Sequence, residues 1–461
     1  MATNKTPGTY VEEISKFPPS VVQVETAIPA FIGYTEKAEK DGVVISGKPI
    51  IIHSLLDFET YFGGTYIYQA GDIQVRLNEV TGFSVNDILF TGKLFFLYHS
   101  IRLFFDNGGS KCYIVSAASY TNTAFTNGTL NNAAALTAAL NTVEKENDVT
   151  IIVMPDAVSL AANDCYTLQN AAVAQCGRLQ DRIALLDLKE NMLHQFNATV
   201  DEFRNNINGD NLKFAAAYAP WLYFSYPVNV DPDIFQDNVF NHDGSSAIDY
   251  ATLIEPIKTN ISDAVKKAFS RIPPCAAVAG VYALVDSTRG VWKAPANISL
   301  NSISSPSETI INTQQETLNV DLNGKSINVI RSFVGKGTLI WGARTLSGND
   351  NDWRYINVRR FFNMVEVSCK MATQAFVFEP NDANTWMRIK AMLENFLVNL
   401  WRQGALQGAK PEDAFYVNIG LGRTMTAQDI LEGRLIIDIG MAVVRPAEFI
   451  IVTFSLKMAQ S

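Results

Sequence analysis

The sequence predicts an α/β fold, α+β over the whole chain: a parallel-sheet α/β domain, a C-terminal α+β domain, and extended β-strand arms at both ends. Three observations predict it. Short, continuous apolar runs such as PAFIGYT (29–35), VTIIVMP (149–155) and RIALLDL (182–188) recur between helical patterns. Strands buried on both faces read this way when helices cover a parallel sheet. From about Gly342 the alternation gives way to two long helical patterns. Finally, Val452, Phe454, Leu456 and Met458 alternate with Ile451, Thr453, Ser455 and Lys457 close to the last residue, Ser461. That period of two marks a strand with one apolar face, and no hairpin partner follows it.

The first 28 residues read as an arm. TPGTYVEEI and VVQVET are strand-like pieces separated by KFPPS, where Pro18 and Pro19 interrupt any regular ladder. In the second piece Val22 and Val24 alternate with Gln23 and Glu25. Residues 29–340 form the α/β domain. Within it, 92–107 places Leu94, Leu97, Tyr98, Ile101 and Phe105 on one helical stripe, stopped by the glycines of NGG (107–109). Strands follow at 111–117, 149–155, 182–188 and 213–220, with helices at 130–146 and about 161–178 and 197–207. The segment 40–90, rich in Tyr, Gly and Asn, reads as an inserted lobe, and 297–326 as extended loops with small hairpins.

The C-terminal domain, 341–461, carries helices at about 352–373 and 384–403 and ends in the strand 448–458. In the second helix Trp386, Ile389, Leu393, Phe396, Leu397, Leu400 and Trp401 share one stripe, and Gly404 ends it. The plain reading is a core helix. The functional reading is that its polar edge, Arg388, Glu394, Asn395, Asn399 and Arg402, touches a partner.

Composition narrows the function. Charged residues make up 18% of the 461 residues, against a usual fraction of about 25%, which suggests a surface covered by other protein. The net charge of −9 argues against nucleic-acid binding. It is uneven: residues 341–461 hold 13 Lys+Arg and 12 Asp+Glu, against 24 and 34 in residues 1–340. The five cysteines, Cys112, Cys165, Cys176, Cys275 and Cys369, form no CxxC motif and read as buried apolar residues in a reducing compartment. MATNKTPGTY has no apolar signal core, and the most apolar run, 88–105, is broken by Lys93, His99 and Arg102. A chain made and folded in the cytoplasm, with no membrane insertion, is expected.

Catalytic patterns are missing. The four histidines, His53, His99, His194 and His242, lack metal-ligand spacing, and His99 reads as structural. No GxSxG, HExxH or P-loop occurs; GLGRTM (420–425) lacks the third glycine of a dinucleotide fingerprint, and NGGSKC (107–112) reads as a helix-to-strand turn. The expectation is a non-enzyme with no catalytic, cofactor or metal residues. The competing reading is an α/β enzyme binding a ligand where the strand order reverses.

Several stretches resemble contractile tail sheath proteins. TPGTYVEEI followed by VVQVETAIPAFIGYT resembles the family's amino-terminal arm and first core strand. So do 271–297, INVIRSFVGKGTLIWGARTLS (327–347), WRYINVRRFFNMVE (353–366), 378–406 and TMTAQDILEGRLIIDIGMAVVRPAEFIIVTFS (424–455). The family includes sheaths of contractile phage tails, R-type bacteriocins and phage-like extracellular injection particles. The resemblance implies subunits stacked as six-fold rings around an inner tube, with terminal strands crossing to neighbours. Tyr10, Val11, Val22, Val24, Phe449, Ile451, Val452, Phe454 and Leu456 would then lie in intersubunit strands. The implied partners are further copies of the chain, the inner tube protein, and baseplate and terminal cap proteins. The implied place is the bacterial cytoplasm during assembly, then a phage tail or a released particle. A non-contractile tail or baseplate component is the alternative within the structural class.

Overall fold

The computed structural model describes residues 20–190 and 195–449. Among these, contacts divide the chain into two compact units: 25–364 with 445–449, and 365–444 with 20–24. The division falls inside the helix Ile356–Thr373.

The larger unit is built on a nine-stranded sheet. Its spatial order is Ile298–Ser299, Gly337–Ile340, Ile327–Phe333, Ala215–Ala219, Ile183–Asp187, Ile151–Val153, Pro29–Thr35, Cys112–Ser119 and Ile50–Ile52. From Ile327–Phe333 to Cys112–Ser119 every pairing is parallel, and antiparallel strands close both edges. The strand Pro29–Thr35 shows why its sequence is apolar throughout. Ala30, Ile32 and Tyr34 enter one core with Leu136, Leu140, Leu168 and Phe203 of the helices on that face. Phe31 enters the opposite core with Leu97, Ile101, Phe104 and Val281. Large apolar side chains such as Phe31 and Ile32 each stabilise the fold by about 1.5–3 kcal/mol when fully buried.

Helix boundaries follow local capping. The expected helix 130–146 runs Ala133–Val143, because Asn132 accepts the Ala135 N–H and so starts it. The expected helix 92–107 is shorter, Leu97–Asp106. Its start is set by Asp156, whose carboxylate takes the Phe96 N–H at 2.6 Å; Leu94 therefore lies before the helix.

The segment 40–90 contributes to three sheets, the first a hairpin in which Val43–Val44 pairs back on Glu39–Lys40. Ile50–Ile52 pairs with Cys112–Ser119 in the main sheet. Ile73–Asn78 and Ser84–Phe90 pair with each other, and Val239–Asn241 joins them in parallel. With the helix Glu255–Phe269 they enclose a separate core of Ile73, Val75, Leu77, Phe235, Val239, Ile261 and Val265. The segment 297–326 holds short strands and also a helix, Asn312–Asn319.

The smaller unit centres on the helix Ala383–Arg402, capped where Asp382 accepts the Thr385 N–H at 2.9 Å. Ile389, Met392, Leu393, Phe396, Leu397 and Leu400 are buried on one side. Trp386 and Trp401 flank that stripe, their indole N–H groups donating to Asn381 Oδ1 and the Gly408 carbonyl. Phe415–Ile419 and Ile437–Met441 form a two-stranded antiparallel sheet, with Val417 and Ile419 buried. No other strand among the described residues pairs with either.

Candidate functional site

A ligand site at the reversal of strand order would lie beyond Pro29–Thr35, which has Cys112–Ser119 on one side and Ile151–Val153 on the other. At that point the chain places Asp156. This fully buried carboxylate accepts N–H groups from Tyr34 at 2.7 Å and Phe96 at 2.6 Å. A Cβ on Gly33 would stand 2.4 Å from its Oδ2. Burial pushes the Asp156 carboxyl up to about 6, with the backbone amides pulling it down. At the end of the next strand Asp187 takes the Cys275 N–H at 2.9 Å, and burial raises it to about 7.

A cavity of about 440 Å³ lies nearby, lined by Arg76, Lys189, Glu190, Trp221 and Arg271 among others. Its one carboxylate is already engaged: Glu190 accepts the Trp221 N–H, the Ser307 hydroxyl and Arg271. The Lys189 ammonium donates to the Val158 carbonyl at 2.7 Å. The Lys189 ammonium and the Glu190 carboxylate are thus each held by a partner from the surrounding fold. His99 is structural: it stacks on Phe224 and Tyr226 and bonds the Tyr226 hydroxyl, and burial lowers its pKa to about 4. All five cysteines are free and buried. Among the described residues no three His, Cys, Asp or Glu cluster as metal ligands, and no helix is long and apolar enough to cross a membrane.

Two further surfaces bear on the sequence expectations, the end segments and the smaller unit. Residues 20–28 join no sheet; Val22 is 76% exposed, and the Val24 N–H donates to Ser368 Oγ at 3.1 Å. The strand expected at Val22–Glu25 has no partner strand here. Phe449 is 71% exposed. Tyr10, Val11, Ile451, Val452, Phe454 and Leu456 lie outside the described residues.

Arg388, Asn395, Asn399 and Arg402 are exposed together on one edge of the helix Ala383–Arg402, beside its buried stripe. Glu394 sits to one side, half-buried and 3.6 Å from Lys390. Arg388 lies over the Phe376 ring and 3.8 Å from Glu379. The sequence reading missed the strand pair Phe415–Ile419 and Ile437–Met441; the β-branched runs FYVNI and IIDIGM were the available signal. It also missed the buried arginines that hold both end segments. Arg360, with Asp286, binds Thr26, and Arg344 binds Glu448.

An open two-stranded sheet and end segments with apolar strand patterns are features on which strands of other chains pair. Comparison with known proteins gives the family. A model of the phage tail sheath protein central domain matches residues 128–346, and one of the phage tail sheath C-terminal domain matches 348–457. The chain is 30% identical to the protein in the contracted-state sheath complex of the extracellular contractile injection system PVC (TM-score 0.65, covering 99% of this chain and 98% of that one). The contracted helical sheath of the anti-feeding prophage is also 30% identical (TM-score 0.64, covering 98% and 99%). Tail sheath proteins of Vibrio phage KVP40 and Enterobacteria phage T4 are 25% and 29% identical over 135 and 114 residues, or 29% and 25% of this chain. The matched stretch spans only 20% and 17% of those two phage proteins' own length. The chain belongs to the contractile tail sheath protein family.

Proposed function

We propose that this chain is the structural subunit of a contractile sheath, stacking as six-fold rings around an inner tube and shortening to drive that tube through a target envelope. The observation that carries this reading is the two-stranded sheet Phe415–Ile419 and Ile437–Met441, open on both outer edges among the described residues. Open edges recruit strands, and this chain carries alternating apolar sequence patterns around Tyr10, Val11, Val22 and Val24 and from Phe449 through Leu456. Each added strand contributes main-chain hydrogen bonds of about 0.5–1.5 kcal/mol net. One copy's end on another copy's sheet is a heterologous contact, which builds open helices rather than closed dimers.

Contraction then needs no cofactor or nucleotide. The extended sheath is a metastable packing, and a trigger at the baseplate lets subunits relax into a shorter, wider one while the strands keep them joined. The exposed face with Arg388, Asn395, Asn399 and Arg402, with Glu394 at its side, is the candidate contact to the tube. Further partners are baseplate and terminal cap proteins; assembly takes place in the bacterial cytoplasm, before incorporation in a phage tail or a released phage-like particle.

The test is negative-stain microscopy of the purified protein at high concentration. Hollow tubes in the contracted form are expected, since nothing else is present to hold the metastable state. Monodisperse monomers at every concentration would overturn the reading.

A further inference from the structure

One carboxylate near the chain's end is fastened far more firmly than a surface linker requires. Glu448 receives Arg344 through two nitrogens, Nε at 3.0 Å and Nη2 at 2.6 Å. Asn319 Nδ2 donates to it at 2.7 Å and the Tyr355 hydroxyl at 3.1 Å. The Arg344 side chain is only 5% exposed. A bidentate pair of this kind is strong and directional, and a buried guanidinium without its carboxylate is strongly unfavourable. Arg344 is itself fixed to the main sheet: Asn328, on the strand Ile327–Phe333, accepts its backbone N–H at 2.7 Å and donates to its carbonyl at 2.8 Å. One residue beyond Glu448 stands the exposed Phe449.

The other end segment is fastened by the same chemistry. Arg360, 3% exposed, pairs with Asp286 at 2.5 Å and donates to the Thr26 carbonyl at 3.0 Å, while the Thr26 hydroxyl donates to Asp286. Each end segment therefore enters or leaves the larger unit at a carboxylate paired with a buried arginine.

We propose that Arg344 and Glu448 are positioning residues that tether the root of the C-terminal segment to its own subunit, so that movement between copies begins at Phe449. A pull on that segment passes through Glu448 to Arg344, then through Asn328 into the central sheet, and not into the residues 365–444 that precede it in the chain. The assembly half of this inference rests on the proposed sheath function; the fastening does not.

The experiment uses the full chain with a nitroxide label on Ala447→Cys, an exposed position in a protein whose native cysteines are buried. Glu448→Gln keeps the shape and removes the charge; Tyr355→Phe removes one bond and keeps it. Glu448→Gln is expected to shorten the label's rotational correlation time at least threefold, and Tyr355→Phe by less. Tubes of Glu448→Gln should form but dissociate at a lower urea concentration than wild type. An unchanged label spectrum in Glu448→Gln overturns the fastening. A mobile label with wild-type tube resistance overturns the tether's part in the lattice. If wild-type protein forms no tubes while Glu448→Gln frees the label, the fastening stands and the assembly reading falls.

Discussion

Two truncations that differ by one residue separate the connector from its anchor. Removing residues 449–461 takes away the segment beyond the clamp and leaves Glu448 on Arg344. Removing 448–461 also strips the carboxylate from a guanidinium only 5% exposed. Breaking a fully buried pair costs about 3–5 kcal/mol; Glu448 keeps 21% of its side-chain surface, which reduces the expected loss to about 2–3 kcal/mol. For a unit of this size that corresponds to a fall in Tm on the order of 5 °C. The shorter deletion should leave Tm within a degree or so of wild type. Both should abolish tubes, because Val452, Phe454 and Leu456 go with either cut, and burying such side chains is worth roughly 1.5–3 kcal/mol each. Phe454→Asp, by placing a charge in the joint, should abolish tubes without a cut. The assays are thermal unfolding by circular dichroism and negative-stain microscopy. Tubes from the 449–461 deletion would refute the segment as connector. An equal loss of stability in both truncations would show that the segment completes its own subunit's core.

Two further predictions concern charge. Reversing Arg388 and Arg402 together to Glu should weaken attachment of the inner tube while leaving sheath self-assembly intact, measured by co-sedimentation of tube protein with sheath; normal attachment would remove this helix face as the contact. Asp156 and Asp187 are raised by burial to about 6 and about 7, from roughly 4 in the unfolded chain. The folded state thus binds these protons more tightly, so their contribution is complete below pH ~4 and is lost as pH rises through about 6 to 7. Thermal unfolding across pH 5 to 8 should show Asp187→Asn, which keeps an acceptor for the Cys275 N–H, losing less stability with rising pH than wild type; an unchanged slope would refute the assignment.

Wherever the deciding interaction is local, the sequence alone determined the element. PAFIGYT is the strand Pro29–Thr35 because every one of its residues is buried, and a run with no polar face is visible without knowing its neighbours. The stripe from Ile389 to Leu400 gives the helix Ala383–Arg402 almost residue for residue, since its period is set by the backbone. Tertiary structure decided the rest. The helix expected from 92 starts at Leu97 because a carboxylate 60 residues away takes the Phe96 amide. The segment 40–90 divides among three sheets because Val43–Val44 pairs back on Glu39–Lys40, Ile50–Ile52 finds Cys112–Ser119 and Ile73–Asn78 finds Val239–Asn241. Arg344 and Arg360 look like surface residues in the sequence and become buried anchors only through carboxylates 104 and 74 positions distant. Backbone periodicity is written in consecutive residues, whereas the partner of a buried charge is chosen by which distant segments the folded sheet brings together.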